Sequence, residues 1–471
     1  AELDWQPHHK AWQSVSVGSD ECPGAAKCPS GGLCFAERAK YRAAAADVVV
    51  VNTHLYGIHV ASGGAILPEH DVVIFDEAHQ LEDTLTATVG VTISASRATT
   101  LATAMNKVVE DDKLLTELFD AAALLRTLFS PHIETRLSLP LPVDIVDQLN
   151  ALRITVNSCL DALRKIDSTL ETVRQKVLRA QTLASRFADD LDAVLRVSST
   201  SVPFVSGTTE RPELVIAPLD VGPILAEFVW PLHTAIMTSA TIPLSMPERI
   251  GLSPDKVHVL DVGSPFNYEE QGRLYCATHL PDPNAQRDDA VHDELATLIT
   301  AAGGRTLALF TSRRALTSAV EEMRKRLPFR ILAQDENQKP SLLRDFLLDE
   351  TSCLFATAGF FEGVDIPGRA LSLVVIDRIP FPHRNNPLLA ARRDLHGAKG
   401  FTEIDLPRAI TALAQATGRL IRTRTDKGVV AVLDPRLASK SYRWAIINAL
   451  PPLKRIKDIN EATAFLKEIT Q

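Results

Sequence analysis

The amino-acid sequence predicts an α/β protein with two lobes, each built on a parallel β-sheet, and an all-helical insertion in the first lobe. Short apolar runs such as Val72–Phe75 end abruptly in acidic or hydroxyl residues, as buried parallel strands do when their carboxyl ends bind a ligand. The stretch from Val143 to Val202 contains neither glycine nor proline, and its apolar residues recur every three or four positions, which indicates helices.

Length and composition fit a large globular protein. A chain of 471 residues is long enough for about three domains, and 45% hydrophobic residues can form a sizeable core. The formal net charge of −8 argues against a wholly basic nucleic-acid wrapper but allows a local basic groove. The sequence has neither a run of about 18 apolar residues nor a signal-peptide layout, so we expect a cytoplasmic protein without a membrane partner.

Three of the six cysteines lie close together near the start of the chain. Cys22, Cys28 and Cys34 have five residues between neighbours, and the glycines and prolines among them predict turns that would bring the thiolates together. Three thiolates can form three corners of an iron–sulfur cluster or an incomplete tetrahedral zinc site. The absence of CxxC spacing disfavours a zinc ribbon, and three unrelated loop cysteines are the remaining alternative.

An acidic pair, Asp76 and Glu77, follows the predicted strand and opens the sequence DEAH, which ends at His79. Adjacent carboxylates at the end of a buried strand are costly unless a cation or a reacting water uses them. A nucleotide site needs such a pair, because one carboxylate holds magnesium and the other activates the attacking water. We therefore predict that Asp76 binds Mg²⁺ and that Glu77 is the general base. A solvated acidic turn is the alternative.

The pattern becomes helical after this motif. We predict an all-helical insertion at residues 91–202, between two parts of lobe 1 at residues 1–90 and 203–250, with lobe 2 at residues 251–471. A coiled-coil dimerisation arm is the alternative, which the lack of a sustained heptad disfavours. The apolar stripe of the insertion comprises Leu149, Leu152, Val156, Leu160, Leu163, Ile166, Leu170, Val173, Val177, Ala180, Phe187, Leu191 and Leu195.

Three further segments place polar residues at predicted strand ends. The apolar run before Thr238–Thr241 ends in TSAT, and the strand predicted over Thr306–Phe310 is followed by TSRR. A third strand runs into TAGFFEGVDIPG at residues 357–368. Glycines such as Gly363 let the backbone turn tightly beside a ligand, and Asp365 adds a carboxylate there.

Polar residues also recur at helical spacing near the end of the chain. Gln415, Gly418, Arg419 and Arg422 follow at i, i+3, i+4 and i+7, which predicts one face of a helix. Such a face can point at a triphosphate, where an arginine stabilises the charge on the transferring phosphoryl group. A solvated polar face is the alternative.

Taken together, these segments resemble the DinG/XPD branch of the iron–sulfur superfamily-two DNA helicases. The family has the same order of segments, namely the cysteines, ADVVVVN, DEAH, TSAT, LFTSRR, GVDIPG, IPFP and QATGRLIR. The resemblance implies two RecA-like lobes, an Arch domain at the insertion, ATP and Mg²⁺ as cofactors, and a 4Fe–4S cluster near residues 19–46. It also implies an enzyme of DNA repair or replication that unwinds DNA and moves 5′ to 3′ on single strands. The oligomeric state stays open, with a monomer favoured. The residues to which it assigns roles are Cys22, Cys28, Cys34, Asp76, Glu77, His79, Gly363, Asp365, Gln415, Arg419 and Arg422.

The sequence departs from that family at three points. It contains no GxxxxGK[ST] phosphate loop, and no cysteine precedes Cys22 although the family uses four. One cause would explain both absences, so we expect the C-terminal part of a helicase that by itself binds ATP poorly. Phe361 and Glu362 differ from the residues common in the family at that position. A nucleic-acid-binding protein without turnover and a different two-lobed NTPase, such as a translocase or a DinG-like nuclease, are the alternatives.

Overall fold

The structure is a computed structural model in which the chain divides into two compact units. Unit 1 comprises Ala1–Thr238, Ser245–Val257 and Arg384–Leu395, and unit 2 comprises Ser239–Leu244, His258–His383 and His396–Gln471. The chain enters the main part of unit 2 after Val257, close to the lobe boundary predicted after Ile250. Nothing in the sequence indicates that Arg384–Leu395 returns to unit 1. The residues described are 8, 11–12, 16, 22, 24–28, 30–243, 245–357, 360, 368 and 370–470.

Helices and strands alternate along most of the chain. Among the helices described, none is both long and apolar enough to cross a membrane. The helices are α1 (Phe35–Ala44), α2 (Thr53–Ala61), α3 (Leu81–Val89), α4 (Ala95–Met105), α5 (Asp112–Phe129), α6 (Val143–Arg164), α7 (Glu171–Leu195), α8 (Gly222–Phe228), α9 (Met246–Arg249), α10 (Tyr268–Gln271), α11 (Asp288–Ala302), α12 (Arg313–Arg326), α13 (Lys339–Leu348), α14 (Pro387–His396), α15 (Leu406–Thr417), α16 (Arg436–Ser439), α17 (Arg443–Ala449) and α18 (Ile459–Thr470). The strands are β1 (Val72–Phe75), β2 (Val91–Ser94), β3 (Thr135–Arg136), β4 (Ser201–Thr208), β5 (Arg211–Pro218), β6 (Thr234–Met237), β7 (Gly272–Cys276), β8 (Thr306–Phe310), β9 (Ile331–Ala333), β10 (Cys353–Thr357), β11 (Leu373–Ile376), β12 (Gly428–Val432) and β13 (Lys454–Ile456).

Unit 1 contains a parallel pair of strands, β1 and β6, which confirms the strand predicted over residues 72–75. Val73 and Phe75 are buried in a core that also receives residues of α2, α3 and α8. Val72 and Ile74 point the other way and are exposed. Successive side chains of a strand alternate between its faces, so this strand is buried on one face only.

The β-branched run at residues 47–51 predicts a strand, but in the structure this run is irregular. Val48 and Val50 are exposed, and within the described part of the chain no strand pairs with the run. A β-branched run becomes a strand only where a neighbour completes its backbone hydrogen bonds. The next residue, Asn52, instead caps α2, because its side chain accepts a hydrogen bond from the Leu55 N–H at 2.7 Å.

The insertion between β1 and β6 is largely helical, but the prediction that it is all-helical is wrong. An antiparallel sheet of four strands, in the order β2-β5-β4-β3, accompanies helices α4 to α7. Its residues Val205, Leu214 and Ile216 belong to the same hydrophobic core as the helices. The β4–β5 hairpin therefore extends the insertion to Pro218, beyond its predicted end at residue 202.

The predicted apolar stripe is divided between α6 and α7. Leu149 and Val156 on α6, and Phe187 and Leu191 on α7, are buried in one core with residues of α4 and α5. Leu170 is exposed, because it lies at the turn where α7 begins. The stripe thus forms an intramolecular bundle, which is the arrangement expected of a folded insertion rather than of a coiled-coil arm.

Unit 2 is built on a seven-stranded parallel sheet in the order β13-β7-β12-β11-β8-β10-β9. Strands β8, β11 and β12 are buried along their whole length, as their uninterrupted apolar sequences predict. Alternate residues enter two different hydrophobic cores, one on each face of the sheet. The carboxyl ends of the strands, and the polar segments that follow them, consequently lie along one edge.

Histidines form a cluster at the amino ends of β1 and β6. The rings of His70 and His233 stack with their centroids 4.2 Å apart and their planes at 4°. His59 is buried beside them, and its Nδ1 accepts hydrogen bonds from the N–H groups of Ile66 and Leu67 at 3.3 and 3.0 Å. Burial, followed by the charges of His70 and His233, lowers the pKa of His59. The neutral ring is therefore part of the folded state.

This depressed pKa predicts that unit 1 is less stable in mild acid. The unfolded chain binds the proton more readily, so stability present above about pH 6.5 is lost as the pH falls toward the lower pKa of the folded state. We expect His59→Asn, whose amide oxygen can replace the Nδ1 acceptor, to reduce the difference in melting temperature between about pH 7.5 and 5.5. The exposed His54→Asn is the control. An unchanged pH dependence in His59→Asn would contradict the assignment.

Candidate nucleotide-binding site

The predicted acidic pair lies at the carboxyl end of β1, where the chain turns sharply toward α3. Asp76 and Glu77 are both exposed. Glu77 has a left-handed backbone with φ of 50°, which is uncommon for a residue other than glycine and often marks a functional turn. The largely buried His79 places its Nδ1 3.4 Å from Glu77 Oε2. The turn therefore presents two carboxylates to a ligand and supports one of them with an imidazole.

Thr238 connects this turn to the end of β6. Its Oγ1 donates a hydrogen bond to Asp76 Oδ1 at 2.7 Å. The Thr238 N–H also donates to Phe75 O, and the Ala78 N–H donates to Thr238 O, both at 2.9 Å. The strand pairing thus continues past the strands and orients the Asp76 carboxylate, as a partner of a metal ligand does.

The sequence predicts TSAT as a polar strand end but does not predict this hydrogen bond. The available signal was the pair of apolar runs that precede Asp76 and Thr238. Because parallel neighbours end at the same edge of a sheet, residues just past both runs become neighbours if the runs pair. The sequence does not show which strands pair.

The two predicted arginines do not lie on the same helical face as Gln415, which corrects the prediction. Helix α15 ends at Thr417 with Gly418 as its C-cap. Arg419 lies in the following turn and Arg422 in a loop. Gln415 and Arg419 are partly buried and Arg422 is exposed, so the polar segment runs around the helix end.

The loop between α15 and β12 is held in place by two buried apolar side chains and by the carboxylate of Asp426. Leu420 and Ile421 are buried, which draws the chain inward before β12. The buried Asp426 accepts hydrogen bonds from the N–H groups of Arg422 and Thr423 at 2.8 and 2.7 Å. A side chain that collects nearby backbone donors competes with helix continuation. Asp426 is not among the predicted site residues, although the turn-forming sequence DKG before a strand is a signal for it.

A second buried network holds the loop that begins IPFP. Arg287 donates to the carbonyls of Asp377 and Leu433. Asp434, which is fully buried, accepts a hydrogen bond from the Ile379 N–H at 2.9 Å. Burial raises the pKa of Asp377 and lowers that of Arg287. These groups fix the segments after β11 and β12 to each other, and their isolated positions in the sequence give no signal of it.

The other predicted polar strand ends are partly visible. Ser312 caps α12 by accepting a hydrogen bond from the Ala315 N–H at 3.2 Å, so a helix begins within the TSRR segment. Thr357, at the end of β10, donates to Gln334 Oε1 from its N–H at 2.8 Å and from its hydroxyl at 2.9 Å. The predicted ligands Gly363 and Asp365, together with Phe361 and Glu362, lie outside the described residues.

The cysteine segment forms two short 3₁₀ turns, Ala25–Lys27 and Gly31–Leu33, which separate Cys22, Cys28 and Cys34. The turns are those that the glycines and prolines predict. In the described part of the chain no three cysteine, histidine or carboxylate side chains are placed so as to hold a metal ion. The segment supplies three thiolates, one fewer than a Cys₄ cluster uses, so the donor set fits such a cluster only in part.

The comparisons with known proteins agree with this architecture. The family described as Helicase C-terminal domain matches residues 295–453. The ATP-dependent helicase DinG of Mycobacterium tuberculosis is 36% identical over 98% of this chain and 72% of its own length. The ATP-dependent DNA helicase YoaA of Escherichia coli is 32% identical over 97% of this chain and 75% of its own length. Two solved structures share the fold: an XPD helicase, with a TM-score of 0.54 and 17% identity over 83% of this chain and 70% of that one, and Xpd4 of S. tokodaii, with a TM-score of 0.55 and 14% identity over 82% and 75%.

The fold and the DEAH turn, taken with these likenesses, define a helicase motor of two RecA-like units. Sequence identity narrows the class, because a match at 36% across 98% of the chain is a family relationship. The chain belongs to the DinG family of ATP-dependent helicases.

The Thr238–Asp76 hydrogen bond predicts a test of the magnesium assignment. Thr238→Val keeps the shape of the side chain but removes the donor, and loss of such a partner typically costs about tenfold or more in metal affinity or activity. We expect the intact helicase carrying Thr238→Val to need about tenfold more Mg²⁺ for half-maximal ATPase activity. Thr234→Val, at the opposite end of β6, is the control. An unaltered Mg²⁺ titration would refute this role of Thr238.

Proposed function

We propose that this chain provides the motor of a DNA helicase that hydrolyses ATP, moves 5′ to 3′ on single-stranded DNA and opens duplexes at forks. The observation that carries the proposal is the oriented Asp76 beside the exposed Glu77 at the end of β1. Relatives named as ATP-dependent DNA helicases support DNA as the partner. Unwinding of duplexes with either a 5′ or a 3′ single-stranded tail tests the direction.

We assign the acid–base roles to the DEAH turn. Asp76 holds Mg²⁺ with the carboxylate that Thr238 orients. Glu77 accepts the proton of the attacking water, and His79 keeps its carboxylate in place. Mg²⁺ held by Asp76 would neutralise the negative charge that develops on the phosphates.

The arginines after α15 are assigned to the phosphates. Arg422 is exposed on the loop after α15. Asp426 accepts a hydrogen bond from the Arg422 N–H, so the backbone that carries the guanidinium group is held in place. A planar, permanently charged donor suits the transferring phosphoryl group. Arg419 and Gln415 are also assigned to nucleotide binding, and Gly363 and Asp365 are assigned to it through the family resemblance.

The decisive experiment is Glu77→Gln in the intact helicase. The amide keeps the size of the side chain but cannot take a proton, so ATP turnover falls by about 10²- to 10⁴-fold while ATP binding persists. Steady-state hydrolysis and nucleotide binding are measured on the same preparation, with the exposed Glu69→Gln as the matched control. Near-normal turnover in Glu77→Gln would overturn the proposed function.

We also propose that Cys22, Cys28 and Cys34 bind three corners of a 4Fe–4S cluster. Gly31 supports the tight loop, because a Cβ there would lie 2.4 Å from the Ala25 carbonyl oxygen. Intact helicase purified without oxygen is expected to be brown and to contain iron. Cys28→Ser should lose both the colour and the iron, whereas Cys276→Ser, on β7, should keep them. Stoichiometric zinc without iron would refute the cluster.

A further inference from the structure

A buried arginine on α14 is tied to the helix that follows the DEAH turn. Arg392 is only 3% exposed. Its Nη1 lies 2.9 Å from Glu82 Oε1 and 3.2 Å from Asp83 Oδ1. Its Nη2 donates to Thr86 Oγ1 at 2.9 Å, and its Nε donates to Leu219 O at 3.0 Å. One guanidinium thus uses all three of its nitrogens on defined partners within unit 1.

The partners of Arg392 are themselves constrained. Glu82 offers its second oxygen, Oε2, to Arg249 on α9. Thr86 is buried, and its hydroxyl donates to Glu82 O at 2.7 Å while it accepts from Arg392. Glu82 thus lies between two guanidinium groups, and the largely exposed Asp83 adds a second carboxylate, so the charges balance around the buried Arg392.

Arg392 joins the helix that follows the DEAH turn to the end of the insertion. Glu82, Asp83 and Thr86 lie on α3, which starts directly after DEAH. Leu219 directly follows β5, at the end of the insertion. Arg392 itself lies in the segment Arg384–Leu395, whose chain comes from unit 2 after His383 and continues into it at His396.

We propose that Arg392 is a positioning residue that sets the DEAH carboxylates through α3 and makes them responsive to the segment Arg384–Leu395. A shift of that segment displaces Glu82 and Asp83, and it therefore also displaces the turn that carries Glu77. Stability alone does not explain the cluster, because well-packed apolar residues are often as stabilising as a buried ion pair. A forked donor with four partners specifies one geometry instead. This inference rests on the proposed function and adds that the segment Arg384–Leu395 regulates the position of the DEAH carboxylates.

The test compares Arg392→Lys, which keeps the charge but loses the fork, with wild-type intact helicase. We expect DNA-stimulated kcat to fall about tenfold, since a small misplacement of catalytic groups costs one to two orders of magnitude. KM for ATP should stay within about twofold, because none of the residues assigned to the nucleotide lies on α3. Asp394→Asn is the control on the same helix, where Asp394 pairs with Arg136 at 2.9 Å and both side chains are largely exposed, so little should change.

The melting temperature separates positioning from stability. If Arg392→Lys lowers the melting temperature while kcat per folded molecule and the stimulation by DNA stay at wild-type values, the inference is overturned. If the variant does not fold, Thr86→Val, which removes one acceptor of the fork, is judged by the same criteria and should lower stimulated kcat by about threefold. An absence of ATPase activity in the wild-type protein, or full ATPase activity in Glu77→Gln, would instead refute the proposed function.

Discussion

The parallel pairing of Val72–Phe75 with Thr234–Met237 is the interaction on which unit 1 depends. It brings Asp76 to Thr238 across 162 positions of sequence. Everything between them must leave and re-enter the lobe at the same strands. The insertion can do so because it has its own hydrophobic core of helices and an antiparallel hairpin, so its folding does not draw on residues of the parallel pair.

The sheet of unit 2 applies the same constraint to more strands. Parallel strands deliver their loops to one edge, but a loop is useful for chemistry only if its backbone is held. Asp426 holds the loop after α15, and Asp434 and Arg287 hold the start of IPFP. These buried charges have little exposure and several hydrogen bonds each, which is the condition under which a buried charge is tolerated.

Ion pairs in this protein differ in consequence with their burial. Arg136 and Asp394 form an exposed pair, of a kind that contributes about 0–1 kcal/mol. Arg392 lies on the same helix as Asp394 but is buried, and removal of one partner from such a cluster typically costs about 3–5 kcal/mol because the other charges lose their compensation. The difference makes the buried cluster a place where a local change affects a distant turn, and the exposed pair a place where it does not.

The sequence by itself determined the strands at residues 72–75 and 306–310, the helical character of the insertion, and the acidic pair of the site. These features depend on local patterns, namely which residues are apolar, how they are spaced, and which residues come directly after them. Only the tertiary structure decided that residues 47–51 form no strand, that β2 and the β4–β5 hairpin join the insertion, and that α15 ends before Arg419. It also decided that Thr238 meets Asp76 and that Arg392 meets Glu82. The physical reason is common to these cases: a strand needs a partner, a helix end depends on the burial of the residues after it, and a buried charge needs a counter-charge, and each of these is supplied by parts of the chain whose distance in sequence carries no signal.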